Sequence, residues 1–253
     1  MNNLFSLAGK RILITGGTRG IGRAISLRFA QAGASVIANY VRDIKSAENL
    51  KSETDKEGLS LDICRADLTS KKGFERLLDS VKSDEKKLSG MVHCAATGVH
   101  GKLEELTTRH FDWIFSLNVR AFFELIKILL PNFSKGSSIV AISSKGATRA
   151  VPSYSLIGSS KGALESLSRN LASELAPKGI RVNILSPGSV LTDAWKLMPN
   201  SEKRISETLK RTPIGRLATP EDVAWAAQFL CSDASSAIVG QTLIIDGGAG
   251  IVE

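Results

Sequence analysis

The stretch Arg11-Ile-Leu-Ile-Thr-Gly-Gly-Thr-Arg-Gly-Ile-Gly22 decides the fold of this chain. An apolar run comes first, glycines follow at positions 16, 20 and 22, and an amphipathic pattern then extends from Gly20 to Ala32. The pattern predicts a strand, a tight turn and a helix. Such glycines let the backbone turn sharply and approach a pyrophosphate, whose charge the helix N-terminus stabilises. The plainer alternative is a tight strand-to-helix connection that binds nothing.

The same alternation continues along the rest of the 253 residues. Further short strand patterns are Ser35–Tyr40, Gly90–Cys94, Ser138–Ile142, Ile180–Leu185 and Thr242–Ile245. Further helical patterns are Phe74–Lys86, Glu104–Leu130, Pro152–Ala176 and Pro220–Cys231. This rhythm predicts an α/β fold, a Rossmann-type doubly wound parallel sheet in a single domain over residues 1–253. Residues 189–211 mix small, polar and bulky apolar side chains and are interpreted as a substrate flap.

Composition limits the classes of function. The net charge is +8, but the basic residues are scattered, which favours a phosphorylated cofactor and an acidic carrier protein over nucleic acid. The three cysteines lack the spacing of a metal site and are interpreted as small buried residues. No apolar stretch is long enough to span a bilayer, and the N-terminus does not read as a signal peptide. We therefore expect a cytoplasmic protein without a metal, nucleic-acid or membrane partner.

Motifs in order along almost the whole chain resemble those of the short-chain dehydrogenase/reductase family. The glycine turn has the spacing Gly16-x-x-x-Gly20-x-Gly22 rather than the Gly-x-Gly-x-x-Gly of other Rossmann enzymes. The other matches are Asp67-Leu68, Asn118, Ser143-Ser144, Lys161, Pro187-Gly188 with Thr192, and Gly240–Gly248. One match is poor, because His93-Cys94-Ala95-Ala96 stands where the family usually has Asn-Asn-Ala-Gly. His93 and Cys94 are interpreted as packing residues.

The end of the second predicted strand bears on the choice of cofactor. An acidic residue there would bind the ribose hydroxyls of NAD, but the chain has Asn39 and Tyr40, followed by Arg42, and Arg19 lies in the glycine turn. Two cations favour NADPH/NADP⁺, although both arginines could simply be solvated and Asp43 is close by. The resemblance implies further cofactor contacts from Thr18, Ile21, Asp67, Leu68, Ala95, Lys161, Pro187, Gly188 and Thr192.

The position of the catalytic tyrosine is unusual. The family places this residue four before the lysine and thirteen after the serine, and both counts lead here to Ile157. Tyr40 lies at the ribose end of the cofactor site, so a phenol at the chemical centre has to be Tyr154. Seven helical residues advance about 700°, so Tyr154 and Lys161 are expected on one face with the phenol about one turn further away. Such an offset suits hydride transfer to C3 of an enoyl thioester, where charge develops on the more distant C1 oxygen.

The Tyr-x6-Lys spacing resembles the enoyl-acyl-carrier-protein reductases, most closely the NADPH-dependent FabL type. This resemblance implies that Tyr154 stabilises the enolate oxygen, that Lys161 binds the nicotinamide ribose, and that Asn118 holds a water or a carbonyl near the lysine. Ser144 either orients substrate or simply ends a strand. The substrate is expected to be a thioester of acyl-carrier protein or coenzyme A. The long helices and the C-terminal strand resemble surfaces through which the family forms homotetramers or homodimers.

Two other functions remain open. A carbonyl reductase, such as a 3-oxoacyl-acyl-carrier-protein reductase, agrees with the overall similarity but not with Ile157. A non-catalytic NADPH-binding protein would not need Asn118, Tyr154 and Lys161 together.

Overall fold

The central sheet has seven strands in the computed structural model, which describes residues 3–191 and 201–252, without the side chains of 201–204. They are β1 (Arg11–Thr15), β2 (Ser35–Tyr40), β3 (Leu61–Arg65), β4 (Leu88–His93), β5 (Phe133–Ile142), β6 (Arg181–Pro187) and β7 (Thr242–Ile245). Their spatial order is β3-β2-β1-β4-β5-β6-β7, and every neighbouring pair is parallel. The predicted parallel α/β sheet is thereby confirmed.

Helices connect the strands and cover both faces of the sheet. They are α1 (Gly20–Gln31), α2 (Ile44–Lys56), α3 (Lys71–Lys82), α4 (Thr108–Phe115), α5 (Ala121–Leu129), α6 (Ser155–Leu175), α7 (Ser201–Lys210) and α8 (Pro220–Cys231). None of the helices within the described ranges is long and apolar enough to cross a membrane.

The hydrophobic core lies in two layers because successive strand side chains point to opposite faces of the sheet. On one face, Ile12 and Ile14 of β1 belong to a cluster with Phe29 of α1 and Val223 of α8. On the other face, Leu13 belongs to a second cluster with side chains of α3, α5 and α6, among them Leu77, Phe122 and Leu164. Burial on both sides explains why the three central positions of β1, between Arg11 and Thr15, are all apolar.

Two predicted helices have different limits in the structure. The segment Glu104–Leu130 is not one helix: α4 and α5 are separated by a π-helical stretch, Ser116–Arg120, and a short 3₁₀ turn, Leu103–Glu105, precedes α4. The segment predicted to begin at Pro152 becomes helical only at Ser155, so Tyr154 is the N-cap of α6 rather than a helical residue.

The carboxyl ends of the strands position the candidate site. Parallel strands bring Thr15, Tyr40, His93, Ile142 and Pro187 to the same edge of the sheet. The strand order reverses direction between β1 and β4, and open α/β sheets bind ligands in the crevice at such a point. The predicted flap at 189–211 borders this edge, but residues 192–200 lie outside the described part of the chain, so the flap stays a prediction.

Candidate active site

The glycine turn between β1 and α1 has the backbone that its sequence requires. Gly16 and Gly20 have φ angles of +62° and +52°, in the region that favours glycine. A Cβ on Gly22 would lie 2.1 Å from the carbonyl oxygen of Gly16, so the first turn of α1 packs directly on the loop. Thr18 is buried, Ile21 is half-buried and Arg19 is exposed.

The N-terminus of α1 is suited to an anionic ligand. Arg19 is the N-cap residue, but its side chain makes no capping hydrogen bond, and the first turn contains no acidic side chain. The N–H groups at this end therefore have no capping side chain, and the helix dipole favours negative charge there. These features fit a pyrophosphate, as the sequence predicted for the site of a dinucleotide.

The turn after β2 exposes Arg42 to solvent, whereas the carboxylate of Asp43 hydrogen-bonds to the first turn of α2. Asp43 caps α2, where it accepts hydrogen bonds from Ser46 N at 3.0 Å and Ser46 Oγ at 2.7 Å. These bonds, with a smaller contribution from Arg19, lower the pKa of Asp43. Arg42 is exposed beside it. Asp43 therefore caps its own helix.

Asn39 is buried beneath the turn after β2, where its side chain joins β2 to the end of β3. The side chain is 1% exposed, and Nδ2 donates to the carbonyl oxygens of Cys64 at 3.2 Å and Ala66 at 2.9 Å. Tyr40, also buried, holds the same connection through its carbonyl, which accepts from Ala66 N at 2.9 Å. The two residues fix the end of β3, from which the chain continues into Asp67.

Two of the predicted cofactor contacts, Asp67 and Leu68, occupy the turn before α3. Leu68 is buried, whereas Asp67 is exposed and its Oδ1 accepts from Thr69 N at 2.9 Å and Thr69 Oγ1 at 2.7 Å. The carboxylate thus stabilises its own turn.

The end of β4 is joined to β1 through the hydroxyl of Thr15. Thr15 Oγ1 accepts from the backbone N–H groups of Cys94 and Ala95, both at 3.1 Å, and lies 3.1 Å from Nδ1 of His93. The His93 ring is buried against Phe122, and burial lowers its pKa to about 3. His93 is therefore a neutral packing residue, in agreement with its interpretation from sequence. Cys94 is half-buried, less covered than expected for a core cysteine.

Tyr154 and Ser144 meet at the centre of the candidate site. The phenol oxygen lies 3.4 Å from Ser144 Oγ. Burial raises the pKa of Tyr154, and the contact with Ser144 opposes this effect. The phenol therefore remains protonated at neutral pH and can act as a hydrogen-bond donor.

The backbone before Tyr154 is strained. Ser153 has a φ of +57° and is the only non-glycine residue with positive φ in the described ranges. Its carbonyl accepts from Gly101 N at 3.1 Å, which ties this turn to the loop after β4. A Cβ on Gly146 would lie 2.6 Å from Cε1 of Tyr154, so the ring packs directly on the backbone that follows Ser144. Backbone strain of this kind concentrates at functional sites.

Ile157 occupies the position where the family pattern places its tyrosine. The side chain is buried and packs on Gly98, where an added Cβ would lie 2.4 Å from Ile157 Cδ1. This position is part of the packing between α6 and the loop after β4.

Lys161 lies on α6, facing the end of β5. The residue is 6% exposed, and Nζ donates to the carbonyl oxygen of Ile142 at 2.8 Å. Burial lowers the pKa of Lys161 to about 8, and the carboxylate of Glu165 one helical turn later opposes this shift. Glu165 is itself buried, and its Oε1 accepts from Ser143 Oγ at 2.6 Å.

Asn118 holds the β4–α4 loop against α6. Its Oδ1 accepts from Thr97 N at 2.9 Å, and its Nδ2 donates to Thr97 O at 3.0 Å and Ser160 Oγ at 2.9 Å. The residue lies in the π-helical stretch, a local distortion that is frequent at functional sites. The carbonyl that Asn118 holds is that of Thr97, beside the site rather than at Lys161.

Comparison with known proteins decides the family. A family model described as Enoyl-(Acyl carrier protein) reductase matches residues 16–250. The 7alpha-hydroxysteroid dehydrogenase of Escherichia coli K12 is 37% identical over 246 residues, covering 96% of this chain and 94% of the relative. The chain belongs to the short-chain dehydrogenase/reductase family.

Other short-chain dehydrogenase/reductases match over nearly the whole chain. The 1-cyclohexenylcarbonyl-CoA reductase of Streptomyces collinus is 34% identical over 242 residues, covering 95% of this chain and 86% of the relative. The structure of 7 alpha-hydroxysteroid dehydrogenase with NADH and 7-oxo glycochenodeoxycholic acid superimposes with a TM-score of 0.92 at 35% identity, covering 98% of this chain and 97% of that one.

A putative gluconate 5-dehydrogenase of Beutenbergia cavernae with bound NADP superimposes equally well, with a TM-score of 0.92 at 32% identity, covering 98% of this chain and all of that one. The protein is therefore an NAD(P)-dependent oxidoreductase. These relatives do not choose between NADH and NADPH, or between reduction of a carbonyl and of a double bond.

Within this short-chain dehydrogenase/reductase, two predicted cofactor residues lie where β6 ends. Pro187 is the last residue of β6, and Gly188 N donates to Ile245 O at 2.9 Å. Thr192 lies outside the described residues. Among the residues that are described, no three His, Cys, Asp or Glu side chains gather into a metal site.

Sequence reasoning missed three features of the site. The His100 ring lies 5.4 Å from the Tyr154 ring, centroid to centroid, Gly146 packs on that ring, and the charge of Glu165 acts on Lys161. Glu165 could have been found from its spacing, because residues four apart share a helix face with Lys161. The other two depend on contacts between separate loops, for which a single sequence carries no signal.

Proposed function

We propose that the protein is an NADPH-dependent enoyl-thioester reductase that reduces the C2–C3 double bond of 2-enoyl thioesters of acyl-carrier protein or coenzyme A. The observation that carries the proposal is the phenol of Tyr154 at 3.4 Å from Ser144, together with Ile157 buried in the position of the usual tyrosine. The phenol comes from the N-cap of α6 and is offset along the chain from Lys161.

Each residue has a defined part in this reaction. When bound, NADPH would supply the hydride that C3 receives, and C2 of the resulting enolate would take its proton from water. Tyr154 donates a hydrogen bond to the C1 oxygen as enolate charge develops, which stabilises the transition state more than the ground state. Lys161 binds the nicotinamide ribose and contributes positive charge, since a pKa of about 8 leaves it mostly protonated at pH 7.

Other residues support this centre indirectly. Ser144 orients Tyr154 and the thioester oxygen. Asn118 is a positioning residue, because its amide groups bond to Thr97 and Ser160 rather than facing the crevice. NADPH is preferred over NADH because Arg19 and Arg42 are exposed at the ribose end, while the nearest carboxylate, Asp43, bonds to Ser46.

The relative from Streptomyces collinus supports the substrate class. Its name describes a coenzyme A thioester whose carbonyl is conjugated to a ring double bond, which is a 2-enoyl thioester. An acidic carrier protein also suits the net charge of +8. We further propose a homotetramer or homodimer, to which the exposed side chains Phe111, Phe123 and Ile244 would contribute apolar contact area.

Carbonyl reduction is the second candidate function. A serine and a tyrosine hydroxyl 3.4 Å apart can both donate to one carbonyl oxygen, and the E. coli relative is named as a dehydrogenase of a hydroxysteroid. With four-carbon thioesters, an enoyl reductase would prefer the crotonyl group and a carbonyl reductase would prefer the acetoacetyl group.

The test is NADPH oxidation measured side by side with crotonyl and acetoacetyl thioesters, each presented on coenzyme A and on acyl-carrier protein. We expect a higher kcat/KM for the crotonyl thioester on at least one carrier. A higher kcat/KM for the acetoacetyl thioester on both carriers would overturn the proposal in favour of the carbonyl reductase.

A further inference from the structure

A basic cavity opens between the β2–α2 turn and α4. Its volume is about 410 Å³, and it is lined by Arg42, Arg109, His110 and Trp113. Three of these residues come from α4, where Arg109 and His110 lie four and three residues before Trp113 and are therefore both neighbours of Trp113 on the helix surface. The cavity thus has one wall from the predicted cofactor site and another from a helix to which no cofactor contact was assigned.

The cavity has two arginines in its lining, Arg42 and Arg109, and both are positively charged. No carboxylate contributes to the lining, and neither Arg42 nor Arg109 forms an ion pair with any described residue. Asp43, the acid nearest to Arg42 in sequence, is occupied by Ser46. Two guanidinium groups at one cavity repel each other unless an anion lies between them.

The other two side chains suit the remainder of a nucleotide. His110 Nδ1 accepts from Thr107 N at 3.3 Å, so this imidazole is fixed as part of the cap of α4. Trp113 is 41% exposed and borders the cavity with an aromatic surface. Indole rings stack on nucleobases, and guanidinium groups bind phosphate through paired hydrogen bonds.

From this juxtaposition we propose that the cavity binds the ribose phosphate of an adenosine nucleotide, with Arg109 of α4 placed opposite Arg42 as a second phosphate-binding arginine and Trp113 beside the base. The identity of this nucleotide rests on the proposed function, which names NADPH as the cofactor and coenzyme A as one carrier of the substrate. The position of Arg42 at the end of β2 favours the 2′-phosphate of NADPH, and the 3′-phosphate of coenzyme A offers the same chemistry.

Binding of fragments tests the cavity without the reaction. Adenosine 2′,5′-bisphosphate, adenosine 3′,5′-bisphosphate and 5′-AMP are titrated calorimetrically into the unmodified protein, Arg109→Gln and the control Arg120→Gln. Arg120 is also exposed and immediately precedes α5, but it does not line this cavity. Loss of one charge-assisted contact is expected to weaken binding of the 2′,5′-bisphosphate about 10-fold in Arg109→Gln. Binding of 5′-AMP, and of every ligand to the control, should be unchanged.

The outcomes separate this inference from the proposed function. A 10-fold loss confined to the 3′,5′-bisphosphate would support the cavity and identify coenzyme A as the source of its ligand. Unchanged binding of both bisphosphates in Arg109→Gln would overturn the inference. A different result would contradict the proposed preference for NADPH: the unmodified protein would bind adenosine 2′,5′-bisphosphate no more tightly than 5′-AMP.

Discussion

The hydroxyl of Tyr154 lies 3.4 Å from that of Ser144, although Tyr154 precedes α6 and stands three residues before the position where the family pattern has its tyrosine. The strained Ser153 and the side-chain-free Gly146 allow this approach. The phenol therefore enters the site from the residue that precedes α6 and not from within the helix. Removal of the Tyr154 hydroxyl tests the role of this contact.

Replacement of Tyr154 by Phe is expected to lower kcat about 10²- to 10³-fold, the usual loss for one donor to a developing oxyanion. NADPH binding should change little, because the contact forms mainly in the transition state. Stopped-flow turnover and fluorescence titration of NADPH measure the two effects. Full activity in the Phe variant would show that Tyr154 is not the donor.

Relocating the phenol tests why it is displaced. The double variant Tyr154→Phe with Ile157→Tyr restores the usual spacing, and we expect the ratio of acetoacetyl to crotonyl turnover to rise relative to Tyr154→Phe alone. Ile157 is buried against Gly98, so Ile157→Phe serves as a control for the added ring. NADPH binding reports whether the fold is retained. An unchanged ratio in a variant that still binds NADPH would contradict the link between spacing and substrate.

The sequence predicted six of the seven strands and the end of the sheet where the site lies, but it missed β3 and α2. β1, β2 and β7 agree with their predicted limits because their patterns are short, apolar or β-branched and end at clear turns. β3 was missed because it is an edge strand whose Asp62 and Arg65 are exposed. α2 was missed because only Ala47, Leu50 and Thr54 are buried in it, which leaves little periodicity to detect.

The candidate site shows the same division between local and long-range information. The glycine turn and Lys161 could be assigned because each depends on its own strand, turn or helix. The break between α4 and α5 could not, since Asn118 is fixed by hydrogen bonds to Thr97 and Ser160, which are distant in the sequence. The N-cap position of Tyr154 likewise depends on the contact between Ser153 and Gly101.

Cofactor preference is expected to depend on Arg19 and Arg42. Replacing both by Ala should raise the KM for NADPH at least 10-fold and the KM for NADH much less, because only NADPH carries the 2′-phosphate. Steady-state kinetics with both cofactors measures the difference. Equal use of NADH and NADPH by the unmodified enzyme would refute the assignment of NADPH.

Burial of Lys161 makes stability depend on pH. Its folded pKa of about 8 lies below the ordinary value of 10.5, so between these values the unfolded chain binds more protons. The free energy of unfolding should therefore rise with pH over this range, by at most about 3 kcal/mol from this group. Lys161→Met removes the contribution, so urea unfolding of both proteins at pH 7.5 and 10 should show a smaller rise in the variant. Identical changes in the two proteins would contradict a depressed pKa. Loss of the ammonium group should also weaken NADPH binding.

Glu165 is expected to set the alkaline limit of activity through Lys161. Its carboxylate lies one helical turn after Lys161 and opposes the effect of burial on the lysine pKa. Glu165→Gln keeps an acceptor for Ser143 Oγ but removes the charge, so the pKa of Lys161 should fall and the alkaline limb of kcat/KM should move to lower pH. Arg169→Gln is the control, since this exposed side chain lies 4.0 Å from Glu165 but does not contact Lys161. A structural role for Glu165 would lower kcat/KM equally at all pH values, and that result would exclude its action through the lysine.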